Sequence, residues 1–160
     1  MIGEGAATPL FCMDKWQKAH MEVAETYAKL STAKRAQVGC VIVKDRRIIS
    51  IGYNGMPSGW DNVCEFQVVI GGSFQDDIPT KLVTRKEVLH AETNAIAKLA
   101  RSSESGDGAD LYVTKPPCID CAKLIYQSGI SRVFYKGKYT TVEGIEFLEQ
   151  ADVELFNFDD

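Results

Sequence analysis

The chain has 160 residues, is 45% hydrophobic and carries a formal net charge of -4, enough to bury one sizeable core but short for two ordinary domains. The acidic balance excludes a broad basic footprint for a long polyanion, because affinity for nucleic acid rests on Lys and Arg neutralising phosphates, whereas a small anionic substrate needs only a few local cations. No apolar run approaches the roughly 20 residues that cross a bilayer. Five cysteines (Cys12, Cys40, Cys64, Cys118, Cys121), an odd number with no secretory leader ahead of them, read as reduced thiols in a cytoplasmic protein. One domain over residues 1–160 is expected, without nucleic-acid or membrane partners.

In chain order, Met13 to Leu30 reads as an amphipathic helix, with Trp16, Ala19, Val23, Tyr27 and Leu30 recurring at three- and four-residue steps. Gly39 to Val43 and Ile48 to Tyr53 are β-rich runs on either side of Lys44-Asp45-Arg46-Arg47, which predicts a hairpin. Asn54 to Arg85, punctuated by Asn54-Gly55, Pro57-Ser58-Gly59, Gly71-Gly72 and Pro79, reads as one long irregular loop of the kind that is functional or mobile. A helix follows over about His90 to Ala100, then a strand over Asp110 to Thr114. The next helix opens just after Pro116-Pro117, with Pro117 at its first position, where a missing N–H costs nothing. Arg132 to Tyr135, Val142 to Gln150 and Val153 to Phe156 read as strand, helix and strand. A hairpin followed by alternating helices and strands predicts an α/β domain, a three-layer α-β-α arrangement with a mixed sheet of about five strands and helices on both faces.

Two segments carry chemistry, His90-Ala91-Glu92 and Pro117-Cys118-Ile119-Asp120-Cys121, each where a helix begins. Cysteines three apart on a first turn present their sulfurs to one side, within reach of one metal ion. Two thiolates and an imidazole favour Zn²⁺, and three protein ligands leave a tetrahedral position open for water, whose pKa falls toward about 7. Glu92 then moves the protons that addition of hydroxide and departure of an amine require. For its carboxylate and the imidazole to converge, His90 must stand at a non-helical entry position. Helix starts also favour thiolate at Cys118. Taken singly, these residues have blander readings. His90 alone is an ordinary histidine, Glu92 alone a solvated helix residue, and Cys-x-x-Cys alone a redox dithiol or half of a Cys₄ zinc site. Their joint occurrence favours a catalytic zinc on His90, Cys118 and Cys121.

His-x-Glu followed by Pro-Cys-x-x-Cys is the signature of zinc deaminases, and the chain resembles the cytidine deaminase superfamily. Within it, His90-Ala91-Glu92-Thr93-Asn94-Ala95-Ile96, Leu111-Tyr112-Val113-Thr114, the segment Pro117 to Lys123, Gln127-Ser128-Gly129-Ile130, Val38 to Val43 and Gly52 to Gly59 resemble the deoxycytidylate deaminases, over about Ser31 to Phe156. The resemblance implies that family's fold, hydrolysis of dCMP to dUMP and ammonia for thymidylate synthesis, and a hexamer activated by dCTP and inhibited by dTTP. It implies that Asn54 hydrogen-bonds the substrate sugar and Tyr139 contacts the nucleotide. It also implies that the loop bearing Asn54, Gly55, Met56 and Gly59 receives the effector triphosphate, with Mg²⁺ on its phosphates.

Other readings stay open beside these. Asn54-Gly55 also reads as a turn, Tyr139 as a half-buried ring at the sheet edge, His20 as a surface or packing residue, and Cys12, Cys40 and Cys64 as inert small hydrophobes. Arg35, Lys115, Lys136 and Lys138 are candidate phosphate ligands that spacing does not rank. Some family members carry a second, structural zinc on His and Cys residues between the strand pair and the catalytic helix. That interval holds only Cys64 here, so one zinc per chain is expected unless Cys12 or Cys40 is brought close. Rival functions are deamination of free deoxycytidine, of a cytosine or adenine in nucleic acid, or nucleotide binding by a zinc domain without turnover. Glu92 weighs against the last.

Overall fold

An Asp14 carboxylate that accepts the Gln17 N–H, with the Gln17 amide returned to the Asp14 N–H, closes a capping box at the start of helix α1 (Lys15–Ala28). The chain then forms a hairpin of β1 (Gly39–Lys44) and β2 (Arg47–Tyr53), joined by Asp45 and Arg46 at φ of 52° and 62°. Two successive positive φ values are the type I′ turn that matches strand twist. Beyond it come β3 (Glu65–Val69), β4 (Thr80–Thr84), α2 (Ala91–Ala100), β5 (Asp110–Val113), α3 (Ile119–Gln127), β6 (Arg132–Tyr135), α4 (Glu143–Gln150) and β7 (Glu154–Asn157). A computed structural model describes residues 13–71 and 78–159.

The main sheet has the order β2-β1-β5-β6-β7, with β1 antiparallel to both neighbours and β5, β6 and β7 parallel. Alternation along the strands sorts side chains into two cores. Cys40, Ile42, Leu111, Val113 and Val133 face α2, α3 and α4, while Val41, Val43, Tyr112 and Phe134 face α1. Tyr112, Phe134 and Phe156 form a stack on the α1 side with ring centroids 4.5 Å apart at each step. The three-layer α-β-α architecture read from the sequence is the one observed. No helix among the described residues is long and apolar enough to cross a membrane.

Two expectations need correction. The interval from Asn54 to Arg85 is not loop throughout, because β3 and β4 pair antiparallel over five rungs, from Glu65↔Thr84 to Val69↔Thr80. Its β-branched residues, Val68, Val69, Val83 and Thr84, outweigh the Gly and Pro punctuation around them. The buried face of α1 is also turned from the expected stripe. It carries His20, Met21, Ala24 and Ala28, while Trp16 is 39% and Leu30 56% exposed. The cause is close packing: a Cβ at Gly39 would overlap the Ala24 carbonyl, so the helix presents its smallest residues to β1. Trp16 instead lies under the Arg46 guanidinium, 5.1 Å from the ring centre.

Candidate active site

Both chemistry-bearing helices begin at extended residues. His90 is the N-cap of α2 (φ -72°, ψ 158°) and Cys118 the N-cap of α3 (φ -72°, ψ 169°), and neither side chain caps its own helix. Freed from capping, the two side chains meet. His90 Nδ1 lies 3.5 Å from Cys118 Sγ and 3.4 Å from Cys121 Sγ, and the three donor atoms all fall within 4.8 Å of one another. Cys118 and Cys121 occupy N-cap and N3, the pair of positions that a capping box brings together. Pro117 therefore precedes the N-cap rather than opening the helix as expected: Cys118 keeps an extended backbone, which aims its sulfur across the turn toward Cys121.

The helix starts are fixed by close approaches. A Cβ at Gly144 of α4 would overlap the Pro117 carbonyl, and one at Gly52 of β2 would overlap the Ala91 carbonyl, so both positions admit only glycine without displacing a ligand-bearing turn. Asn94 Nδ2 donates to the Tyr53 carbonyl (2.8 Å) and Ser50 Oγ to the Ala95 carbonyl (2.7 Å), tying α2 to β2.

The donor set suits a metal. Hydrogen bonds from Cys121 and then His90 hold the Cys118 thiol well below its ordinary range, while the same bond to Cys118 pushes Cys121 up, so the pair shares one proton that a cation can replace. His90 is raised chiefly by its hydrogen bond to Cys118. Zinc bonds of about 2.0–2.3 Å give tetrahedral edges of about 3.5 Å, matching the two nitrogen–sulfur separations, and two sulfurs with one imidazole are zinc donors. The residues present fit the ion. Beside them Glu92 is only 4% exposed, and burial pushes its carboxyl above the usual range, against the pull of nearby His90 and of a Cys121 hydrogen bond.

His90, Glu92 and Cys118 line a cavity of about 440 Å³, a size suited to a small molecule. Asn54 lines it too, with Oδ1 accepting the Val38 N–H and Nδ2 donating to the Ala36 carbonyl, both at 2.8 Å. Its second amide N–H remains for a ligand. Of the four candidate cations, Arg35 and Lys115 reach this wall. Lys136 is paired with Glu25 (2.8 Å).

The remaining described residues singled out from sequence are not part of the cavity wall. Gly55 exchanges backbone hydrogen bonds with Leu89, and Met56 is buried with Ala33 and Cys64. Gly59, at φ 87°, sits in a turn closed by the Trp60 N–H on the Pro57 carbonyl. Tyr139 is exposed and tilted against Tyr135, while its neighbours Thr140 and Thr141 face the cavity. Cys64 contacts Thr32 Oγ1 (3.4 Å), Cys40 is buried in the sheet, and Cys12 lies outside the described residues. Among the described residues His90, Cys118 and Cys121 form one metal-competent group. The wall also holds Glu65 and Thr84, which reading β3 and β4 as loop had hidden; the β-branched runs Val68-Val69 and Val83-Thr84 signal the strands, though not the part their first rung plays.

Comparison with known proteins agrees with this geometry. The chain is 33% identical over 167 residues to the deoxycytidylate deaminase of Enterobacteria phage T4, covering 86% of each chain. It is 38% identical over 128 residues to the deoxycytidylate deaminase of Homo sapiens, covering 78% of this chain and 67% of that one. Its fold superposes on the crystal structure of dCMP deaminase from the cyanophage S-TIM5 in complex with dCMP and dUMP with a TM-score of 0.78, at 39% identity, covering 91% of this chain and 98% of that one. A family model described as the cytidine and deoxycytidylate deaminase zinc-binding region matches residues 14–136, and the chain belongs to that family.

Proposed function

We propose that this chain, acting as a single catalytic domain, hydrolyses dCMP to dUMP and ammonia. The observation that carries the reading is one cavity whose wall holds both the metal-site group of His90, Cys118 and Glu92 and the cations Arg35 and Lys115. The first group suits the cytosine amino group and the second a 5′-phosphate. Zinc held by His90, Cys118 and Cys121 would supply a Lewis acid that makes water nucleophilic near neutral pH. Glu92 takes one proton from the attacking water and delivers it to N3, then carries the second proton, from the C4 hydroxyl of the tetrahedral adduct, to the departing amine as the C4–N bond breaks. Its burial suits that work, since a carboxyl raised above its usual range both accepts and holds a proton. Asn54 offers its spare N–H to the sugar while the Val38 and Ala36 hydrogen bonds hold its amide plane.

The reading extends to regulation and assembly by likeness to the deoxycytidylate deaminases. In it the chain is a hexamer, dCTP activates, dTTP inhibits, and the triphosphate with Mg²⁺ sits at the loop of Asn54, Gly55, Met56 and Gly59. The test is ammonia release by zinc-loaded protein from dCMP, deoxycytidine and single-stranded DNA, with and without dCTP or dTTP. Turnover of dCMP well above both rivals is expected; comparable turnover of deoxycytidine or DNA overturns the substrate assignment, and indifference to both triphosphates overturns the regulatory part.

A further inference from the structure

Glu65 is a buried charge that the mechanism above does not use. It is only 7% exposed, and burying a carboxylate is costly unless it is hydrogen-bonded. Its Oε1 accepts two backbone N–H groups from the loop between α1 and β1, those of Lys34 (2.8 Å) and Arg35 (3.1 Å). Directly opposite Glu65 in the β3–β4 ladder stands Thr84, whose Oγ1 accepts from Arg35 Nη1 at 3.0 Å. A single cross-strand rung therefore holds Arg35 at both ends, by its backbone and by its guanidinium. All three residues line the cavity that contains His90 and Glu92.

We propose that the Glu65–Thr84 rung is a positioning device that aims Arg35 at the substrate phosphate and thereby sets the preference for a nucleoside 5′-monophosphate over the free nucleoside. The inference rests on the dCMP reading above. A guanidinium has five N–H donors in a rigid fork, so the bond to Thr84 leaves donors free for phosphate oxygens while removing rotational freedom that binding would otherwise have to remove. Glu65 places one carboxylate oxygen, Oε1, on two successive backbone N–H groups, which makes the side chain an anchor for the loop. The hairpin then acts on binding of the anionic end of the substrate and not on the bond-breaking end, where α2 and α3 supply every group.

The test compares Thr84→Val, Glu65→Ala and Glu65→Gln with wild type on dCMP and deoxycytidine, with zinc content and melting temperature followed in parallel. Thr84→Val keeps the side-chain shape and loses the acceptor, and it is expected to raise KM for dCMP by roughly tenfold. Its kcat and its kcat/KM on deoxycytidine stay within about twofold of wild type. Glu65→Ala shifts KM for dCMP in the same direction, and Glu65→Gln, which retains an acceptor oxygen, recovers most of the loss. Equal losses on both substrates, or an unchanged KM for dCMP in Thr84→Val, overturn the proposal. A wild type that prefers dCMP with insensitive variants removes only the role of the rung, whereas a wild type without that preference removes the substrate reading and this inference together.

Discussion

The corner where α2 and α3 begin and the β3–β4 hairpin meet at the same cavity but are built in opposite ways. At the corner every element belongs to the five-stranded sheet or packs flat on it, and Ala91, Ala95, Cys121 and Ala122 have almost no exposure. The hairpin is a two-stranded sheet with Phe66 49% and Val69 58% exposed, held to the body by a small cluster of Ala33, Met56 and Cys64 and by the grip of Glu65 on the neighbouring loop. Groups assigned to holding a metal and moving protons sit where backbone displacement is most expensive. Groups assigned to choosing the substrate sit where the structure is thin, so selectivity can change there without disturbing the chemistry.

Variants at the two regions should separate accordingly. Glu92→Gln should lower turnover roughly 10²- to 10⁴-fold on dCMP and deoxycytidine alike, with zinc content unchanged by metal analysis; near-normal turnover would mean another group carries the proton. Phe134→Ala, which opens the aromatic stack behind the corner, should cost about 3–5 kcal/mol in denaturant unfolding. Gly144→Ala should cost about 1–3 kcal/mol and lower zinc occupancy, because the added methyl must push the Pro117–Cys118 turn; unchanged occupancy would show that the turn yields without carrying Cys118 with it. Phe66→Ala, on the open face of the hairpin, should stay within about 0.5 kcal/mol in a thermal melt and leave dCMP turnover intact. A large loss there would mean that the face is covered in solution.

The same division decides what could be read without a structure. His90, Glu92, Cys118 and Cys121 stood out because a three-ligand metal centre at helix starts demands fixed residue types at short spacing. Strands β1, β5 and β6 stood out because buried strands concentrate Val, Ile and Tyr. The role of Glu65 left no such trace, since its partners Lys34 and Arg35 lie about thirty residues earlier and are bound through their backbones, which any residue type provides. The buried face of α1 was misread for a related reason. Three- and four-residue spacing selects the stripe of Trp16, Ala19, Val23, Tyr27 and Leu30, whereas close approach of Gly39 selects the neighbouring stripe that bears Ala24 and Ala28.

The direction of β1 has a consequence for how such a cavity can be assembled at all. Because β1 runs against both β2 and β5, Gly39 at its beginning lies beside Tyr53 at the end of β2 and next to the exit of β5. Three chain segments distant in sequence, the Arg35 loop, Asn54 and the Lys115–Cys118 turn, thus leave one rim of the sheet together. Reversing that six-residue strand would carry the Arg35 loop to the far rim, about 20 Å away, and separate the proposed phosphate-binding cation from the metal-competent His90, Cys118 and Cys121. Strand polarity, which no single residue encodes, is what makes one pocket out of three loops.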